Sequence, residues 1–230
     1  RRVDGMLIIA VPPADPQLQD LIALNMPTSM IGLTTAGVPS VTIDDVAAAR
    51  LATQHLINLG HTRIGTIPGS PSQTPFTAEF DREAGFAQAM SEANIQVDPM
   101  LEAYGHFSIE GGEAAMTALL TQVQPPTAVF ALSDEMAFGA LRALRAHDLR
   151  PGIDVSVVGV DGHDMAEYLG LTTVVQPVVE LGRIAAESLL AQMREGAAQP
   201  ESTQVATQLV VRESTGPVAR HRSVPSKDAR

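Results

Sequence analysis

The stretch Thr127–Pro177 constrains the fold more than any other. It reads TAVFALS, DEMAFGALRALRAHDLRPGID, VSVVGVDGHD and LTTVVQP in succession. TAVFAL and VSVVGV are short, nearly continuous apolar runs rich in β-branched residues, as expected of strands covered on both faces of a parallel sheet. The segment between them opens with Ser133 and Asp134, a helix-start signature, and carries Ala137, Ala140, Leu141 and Leu144 on one side. A strand–helix–strand unit follows. Asp134 and Asp161 then stand at the carboxyl ends of the two strands, the edge at which open α/β sheets bind ligands.

Similar units flank it. Val3–Val11 is a strand candidate, followed after Asp15-Pro16 by a short helix with Leu18, Leu21 and Ile22 on one face. PTSMIGL and SVTID supply further extended pieces. Asp44-Asp45 can cap a helix reaching Leu59, with Ala49, Ala52, Leu56 and Leu59 at helical spacing, and TRIGTIPG is the next strand. After a turn-rich loop over 69–78, a helix is expected from about Asp81 to Ala93. LEAYGHFS reads as a strand, and EGGEAAMTALLTQV as a helix whose glycines mark its entry. Pro177 opens a helix with a buried stripe of Val178, Leu181, Ala185 and Leu189, and TQVATQLVVRES alternates as a final strand. Alternating β and α elements with short connections predict an α/β chain with parallel sheets.

Composition narrows the function. Cysteine is absent, which removes disulfides, thiol nucleophiles and thiolate metal sites and is compatible with a cytoplasmic location. No apolar run approaches the roughly 18 residues of a membrane span. From Pro217 onward Arg220, Arg222, Lys227 and Arg230 oppose Asp228, a net of +3 that leaves −14 on the remainder of a chain whose total is −11. Such a body repels nucleic acid, and the tail, which lacks hydrophobic anchors, reads as a disordered basic terminus. The sequence has no GxSxG elbow, P-loop or complete GxGxxG, so enzyme fingerprints are missing. His55, His61 and His163 are too loosely placed for a metal set and read as exposed side chains.

RRVDGMLI, HLINLGHTRIGTIPG, DREAGFAQAM, TAVFALSDEMAFGALRAL, VSVVGVDGHD, LTTVVQPVVELGRIAAESLL and LVVREST, in that order, resemble the effector-sensing domain of the LacI/GalR family of bacterial transcription regulators. The resemblance covers about Arg1 to Thr215. It implies two Rossmann-like lobes with parallel sheets, joined by three crossovers near Asp44-Asp45, Gln176-Pro177 and Gln199-Pro200, as in periplasmic sugar-binding proteins. Residues 1–44 and 177–199 would form the N-terminal lobe, residues 45–176 and 200–216 the C-terminal lobe, and 217–230 the tail. Family members open with a helix-turn-helix and two further β–α units. This chain starts after both, so the first lobe is expected to be incomplete, with an exposed apolar sheet edge, as in a truncated product or a partial chain record.

The resemblance also implies a small effector, sugar or related metabolite, in the interlobe cleft. Arg82 matches an arginine aimed into the cleft, whose rigid fork of donors suits hydroxyl or carboxylate oxygens. Asp161 matches an acid that takes two sugar hydroxyls, Gln176 a crossover glutamine, and Phe107 an aromatic that stacks on the ligand ring. Ser133 stands where many relatives have Asn, which removes one donor. Phe76 and Ala78 fall where purine-type members place polar contacts, and their apolar character argues against a close copy of the purine repressor and leaves the effector's identity open. No catalysis and no cofactor are expected. The expected partners are the effector, a second copy of the chain in a homodimer, and operator DNA only through the missing helix-turn-helix. The alternative of the same fold is a periplasmic sugar-binding protein of a transporter.

Overall fold

The structure, a computed structural model, describes residues 3–9, 16–24, 26–70, 77–195 and 202–218. Two sheets organise them. The first contains β1 (Met6–Ile9), β2 (Thr28–Ile31), β3 (Ser40–Thr42) and β8 (Ser202–Gln204), all parallel and in that spatial order. The second places β4 (Ile64–Ile67), β5 (Ala128–Ala131), β6 (Ser156–Asp161) and β7 (Thr172–Val175) side by side in parallel, with β9 (Gln208–Val210) antiparallel at the edge. The expected α/β class with parallel sheets is the one observed.

The central strands β5 and β6 are largely apolar because helices cover both faces of the second sheet. Its helices are α2 (Asp45–Asn58), α3 (Thr77–Glu92), α4 (Ile109–Leu120) and α5 (Asp134–Ala146), and a single turn, α6 (Met165–Tyr168), joins β6 to β7. Phe130 of β5 stacks on Phe86 of α3, ring centroids 6.3 Å apart, and its register partner Val158 shares that face. Gly159, the next residue, points the other way, where an added Cβ would lie 3.3 Å from Ala137 of α5. The pairs α2–α3 and α4–α5 therefore lie on opposite faces.

Gly112 and Gly139 hold the α4–α5 pair close. A Cβ on Gly112 would come within 2.2 Å of the Met136 carbonyl oxygen, and one on Gly139 within 2.0 Å of the Ile109 carbonyl oxygen. Of the two glycines expected at the entry of α4, Gly112 thus lies at a helix–helix contact, and Gly111 packs against the Gly105 carbonyl of the preceding turn. The entry is made by Ser108, whose hydroxyl accepts the Gly111 N–H.

In the first sheet, Ile8, Met30, Leu33 and Val38 bury Leu18 of α1 (Pro16–Ala23). α7 (Val178–Glu195) packs on β1, β2 and β3 of that sheet, with Leu181 and Ala185 buried. β1 is an edge strand, and Leu7 and Ile9 are exposed there.

Three sequence expectations differ from the structure. LEAYGHFS is not a strand. A 3-10 turn at Pro99–Leu101 is followed by one bridge, Glu102 with Thr66, and the chain turns away because His106 (φ 51°) and Phe107 (φ 48°) are both left-handed. α3 begins at Thr77 instead of Asp81, which puts Arg82 in its second turn. The single strand read in TQVATQLVVRES breaks in two, because Ser202–Gln204 pair with β3 while Gln208–Val210 pair with β7. The chain passes from the first sheet to the second at residues 205–207. β8, assigned above to the C-terminal lobe, pairs with β3 in the first sheet. Within the basic tail expected over 217–230, residues 219–230 lie outside the described residues.

His61 is buried, contrary to expectation. Its Nδ1 bonds the Thr127 hydroxyl at 2.9 Å, and its Nε2 lies 3.1 Å from the Ser156 hydroxyl and 3.0 Å from the Gly216 carbonyl. It fastens the segment after β9 to the starts of β5 and β6. Burial lowers its pKa, against the opposing pull of the Gly216 carbonyl. A histidine depressed in the fold contributes stability that is complete above the unfolded value of about 6.5 and is lost as the pH falls below it. His61→Ala should lower the unfolding free energy at pH 7.5 by about 1–3 kcal/mol, the cost of leaving buried partners unbonded. The difference from wild type, followed by urea unfolding, should shrink toward pH 5. A constant difference would rule out the titration.

Candidate functional site

The carboxyl ends of four adjacent parallel strands line up along one edge of the second sheet. Gly69 follows β4, Ser133 follows β5, Asp161 ends β6 and Gln176 follows β7. This alignment follows from parallel pairing, which sends every strand out at the same edge.

Two helices bring charge to that edge. Asp44 caps α2, its Oδ1 accepting the Ala47 N–H at 2.8 Å, so the adjacent Asp45 is left for another partner. That partner is Arg82 of α3, whose Nε donates to Asp45 Oδ1 at 2.7 Å. Arg82 Nη1 donates to the Leu132 carbonyl and, at 3.3 Å, to Asp161 Oδ1. Gln176 Nε2 donates to the same Asp161 oxygen at 2.7 Å, and the Gln176 N–H donates to the Asp161 carbonyl at 3.0 Å. Asp161 Oδ2 accepts a longer bond, 3.4 Å, from the Asp134 N–H.

The network holds Asp161 in a backbone conformation that non-glycine residues rarely adopt, φ 139°. Such a conformation costs about 1–3 kcal/mol and persists only where surrounding contacts fix it. Exposure is graded across the three charged side chains: Arg82 8%, Asp45 15% and Asp161 34%. Asp161 is thus the member turned toward solvent.

Electrostatics differ at each member. Burial works against the Arg82 charge, but Asp161 and Asp45 outweigh it and hold the guanidinium more firmly protonated than usual. Burial pushes Asp45 up, and the Arg82 charge offsets only part of that push while Asp81 and Asp161 add to it. Two acids therefore share one base. Beneath them lies Asp134, fully buried, accepting from the Thr173 hydroxyl at 2.6 Å and from the His163 N–H at 2.8 Å. Burial raises its pKa to about 6.

The structure brings Arg82, Asp161 and Gln176 into one hydrogen-bonded set. Ser133 borders it as the N-cap of α5, accepting the Met136 N–H at 3.3 Å. Phe107 stands at the end of β4, its ring packed so closely over Gly69 that a Cβ there would lie 1.9 Å from Phe107 Cε2. Phe76 lies outside the described residues. Sequence reasoning treated Asp45 only as part of a cap. Its signal was the doubled acid, since one aspartate suffices at an N-cap.

A separate hollow of about 510 Å³ lies between the outer side of α2, at Arg50, Leu51 and Gln54, and the 204–207 segment. It includes none of Arg82, Asp161 and Gln176, and its one cation, Arg50, is half-exposed beside Glu92 at 3.6 Å. The buried charge lies in the Arg82 network instead. Among the described residues no group of three His, Asp or Glu is placed to hold a metal ion, and no helix is long and apolar enough to cross a membrane. His163 meets Phe138 edge to face, ring centroids 5.4 Å apart, and His55 bonds Thr215.

Known proteins resemble this chain in sequence and fold. The periplasmic binding protein-like domain family matches residues 53–215. The HTH-type transcriptional repressor CytR of Escherichia coli (strain K12) is 37% identical over 221 residues, covering 94% of this chain and 63% of the repressor. The HTH-type transcriptional regulator CelR of Thermobifida fusca is 37% identical over 221 residues, 93% of this chain and 64% of the regulator. The chain thus spans just under two thirds of the length of these curated relatives. A solved complex of the transcriptional regulator CelR with cellobiose superposes with a TM-score of 0.84 at 36% identity, over 93% of this chain and 66% of that one. A LacI family regulator from Enterococcus faecium with bound ribose superposes with a TM-score of 0.85 at 30% identity, over 94% and 81%. These relatives are regulators of transcription, not enzymes. On the order of its elements, the family match and these superpositions, the chain belongs to the LacI family of transcriptional regulators, as their periplasmic binding protein-like region.

Proposed function

We propose that this region senses a small, hydroxyl-rich effector held at the carboxyl edge of the second sheet, opposite the first. The observation that carries the reading is the division of labour at Asp161. Its Oδ1 is clamped by Arg82 and Gln176, while Oδ2 has one long bond, and the side chain is about one third exposed. A carboxylate oxygen fixed in place with lone pairs to offer is suited to a ligand hydroxyl. Two relatives with solved complexes hold cellobiose and ribose, both neutral and rich in hydroxyls. Phe107 offers an apolar face at the same edge, beside the buried N-cap Ser133.

The reading assigns the lobes to the two sheets. A ligand touching both lobes favours one angle between them, and only its differential affinity for the two angles can shift that equilibrium. In a complete cytoplasmic regulator acting as a homodimer, the shift would be coupled to operator binding through DNA-binding heads by about 1–3 kcal/mol.

Arg82 acts chiefly on Asp161 in this reading, since its Nε and Nη1 donors go to protein oxygens. Asp161→Asn should weaken binding of a neutral sugar by more than about 10-fold, the range for a hydrogen bond to a charged group, while the protein stays folded. Calorimetry with ribose, cellobiose and a panel of free sugars and nucleosides measures this. Undiminished affinity in the variant would place the ligand elsewhere.

A further inference from the structure

Asp45 carries an inference that rests on the sensing reading and deepens it. We propose that Asp45 is a specificity-determining residue, which neutralises Arg82 from within the protein and so restricts the site to uncharged ligands, excluding phosphate monoesters and other anions.

The charges at this edge do not balance. An arginine at a ligand edge ordinarily attracts phosphate or carboxylate, because its planar fork matches their oxygens. Here two of the three guanidinium nitrogens are already engaged within the protein: Asp45 takes Nε at 2.7 Å, and Asp161 with the Leu132 carbonyl takes Nη1. Asp45 and Asp161 together exceed the one positive charge between them. Asp81 adds to the field at Asp45, Asp44 lies close to Asp81, and Asp134 lies beneath Asp161. An arriving phosphate monoester, carrying about −1.5 to −2 at pH 7, would approach Arg82 across this excess of carboxylates and be repelled by them. Neutral ligands meet no such opposition. Their hydroxyl protons are attracted by the field that repels anions, and specificity arises from the repulsive element as much as from the attractive one.

Asp45 sets this balance more than Asp161 does. Asp161 is the exposed acid and, in the sensing reading, a ligand contact; Asp45 is largely covered and reaches the ligand only through Arg82. Asparagine at 45 would keep an oxygen for the Arg82 Nε–H while removing the charge. The guanidinium would then be matched one to one by Asp161, and the site would lose its excess of negative charge.

The test uses the whole chain and matched probes: ribose with ribose 5-phosphate, glucose with glucose 6-phosphate, and adenosine with its 5′-monophosphate. Calorimetry is expected to give neutral members at least about 100-fold tighter binding than their phosphorylated partners, and Asp45→Asn is expected to narrow that ratio by about 10-fold. Circular dichroism verifies that the variant is folded, and the wild-type ratio by itself needs no variant. A phosphorylated member binding the wild type as tightly as its neutral partner would overturn the charge filter and leave the sensing reading standing. A ratio unmoved by Asp45→Asn would remove Asp45 from the role. Binding of neither class would instead strike the sensing reading, and this inference with it.

Discussion

Arg82→Met is expected to lower the unfolding free energy by about 3–5 kcal/mol, the range observed when one partner of a buried ion pair is removed and the other stays behind. The methionine fills much of the same space, so the loss is one of charge and hydrogen bonds. Asp45 is the member most affected, because burial already raises its pKa and the guanidinium provides the main opposing pull. Asp161 is more exposed and contributes less, since water replaces part of what it loses. A second substitution separates charge from packing. In the Arg82→Met background, Asp45→Asn should restore at least half of the lost stability, because the stranded carboxylate is gone. Urea unfolding of both single variants and the double variant forms a complete cycle. A loss below about 1 kcal/mol in Arg82→Met would mean that water reaches the network freely, and the buried triad would no longer account for the position of Asp161.

The same triad separates what a sequence discloses from what it hides. The strands β5 and β6 were legible because a run such as TAVFAL, apolar at consecutive positions, suits burial on both faces of a parallel sheet. The start of α5 was legible because Ser133 caps it through a bond to a residue three positions away. These are local relations. Asp45 and Arg82 are 37 positions apart and meet only because α2 and α3 pack together on one face of the sheet. No periodicity records that meeting, although the doubled aspartate hinted that one acid was surplus to capping. The strand read in LEAYGHFS failed for a related reason. LEAYGHFS has the residue types of a strand, but the left-handed pair at His106 and Phe107 folds the ring back over Gly69, a contact set by tertiary packing. The final strand was misjudged because alternation continues across residues 205–207 while the hydrogen-bonding partner changes from β3 to β7. His61 has a polar side chain, and only the fold supplies the Thr127, Ser156 and Gly216 partners that allow it to be buried.

Asp134 should make the stability of this fold fall as the pH rises from about 4 to 6, opposite to the usual behaviour of a paired carboxylate. Burial holds its pKa at about 6, against 3.8 for an unperturbed aspartate, even though Thr173 and the His163 N–H donate to it. Between those values the folded chain retains a proton that the unfolded chain has lost, so each rise in pH favours unfolding. The stabilisation is complete below about pH 3.8 and gone once the pH has passed 6. At 1.36 kcal/mol per unit, the change is about 3 kcal/mol. Other acids titrate in the same range, so the quantity to follow is the difference between wild type and Asp134→Asn. Asparagine preserves an acceptor for the His163 N–H and offers an amide donor to the Thr173 hydroxyl, which can rotate to accept. The variant should gain on the wild type by about 2–3 kcal/mol between pH 4 and pH 7 in urea unfolding. A flat difference would show that the carboxylate ionises as it does in water. The bonds from Thr173 and His163 would then outweigh burial, and the loop after β6 would be held by a charge instead of by a proton.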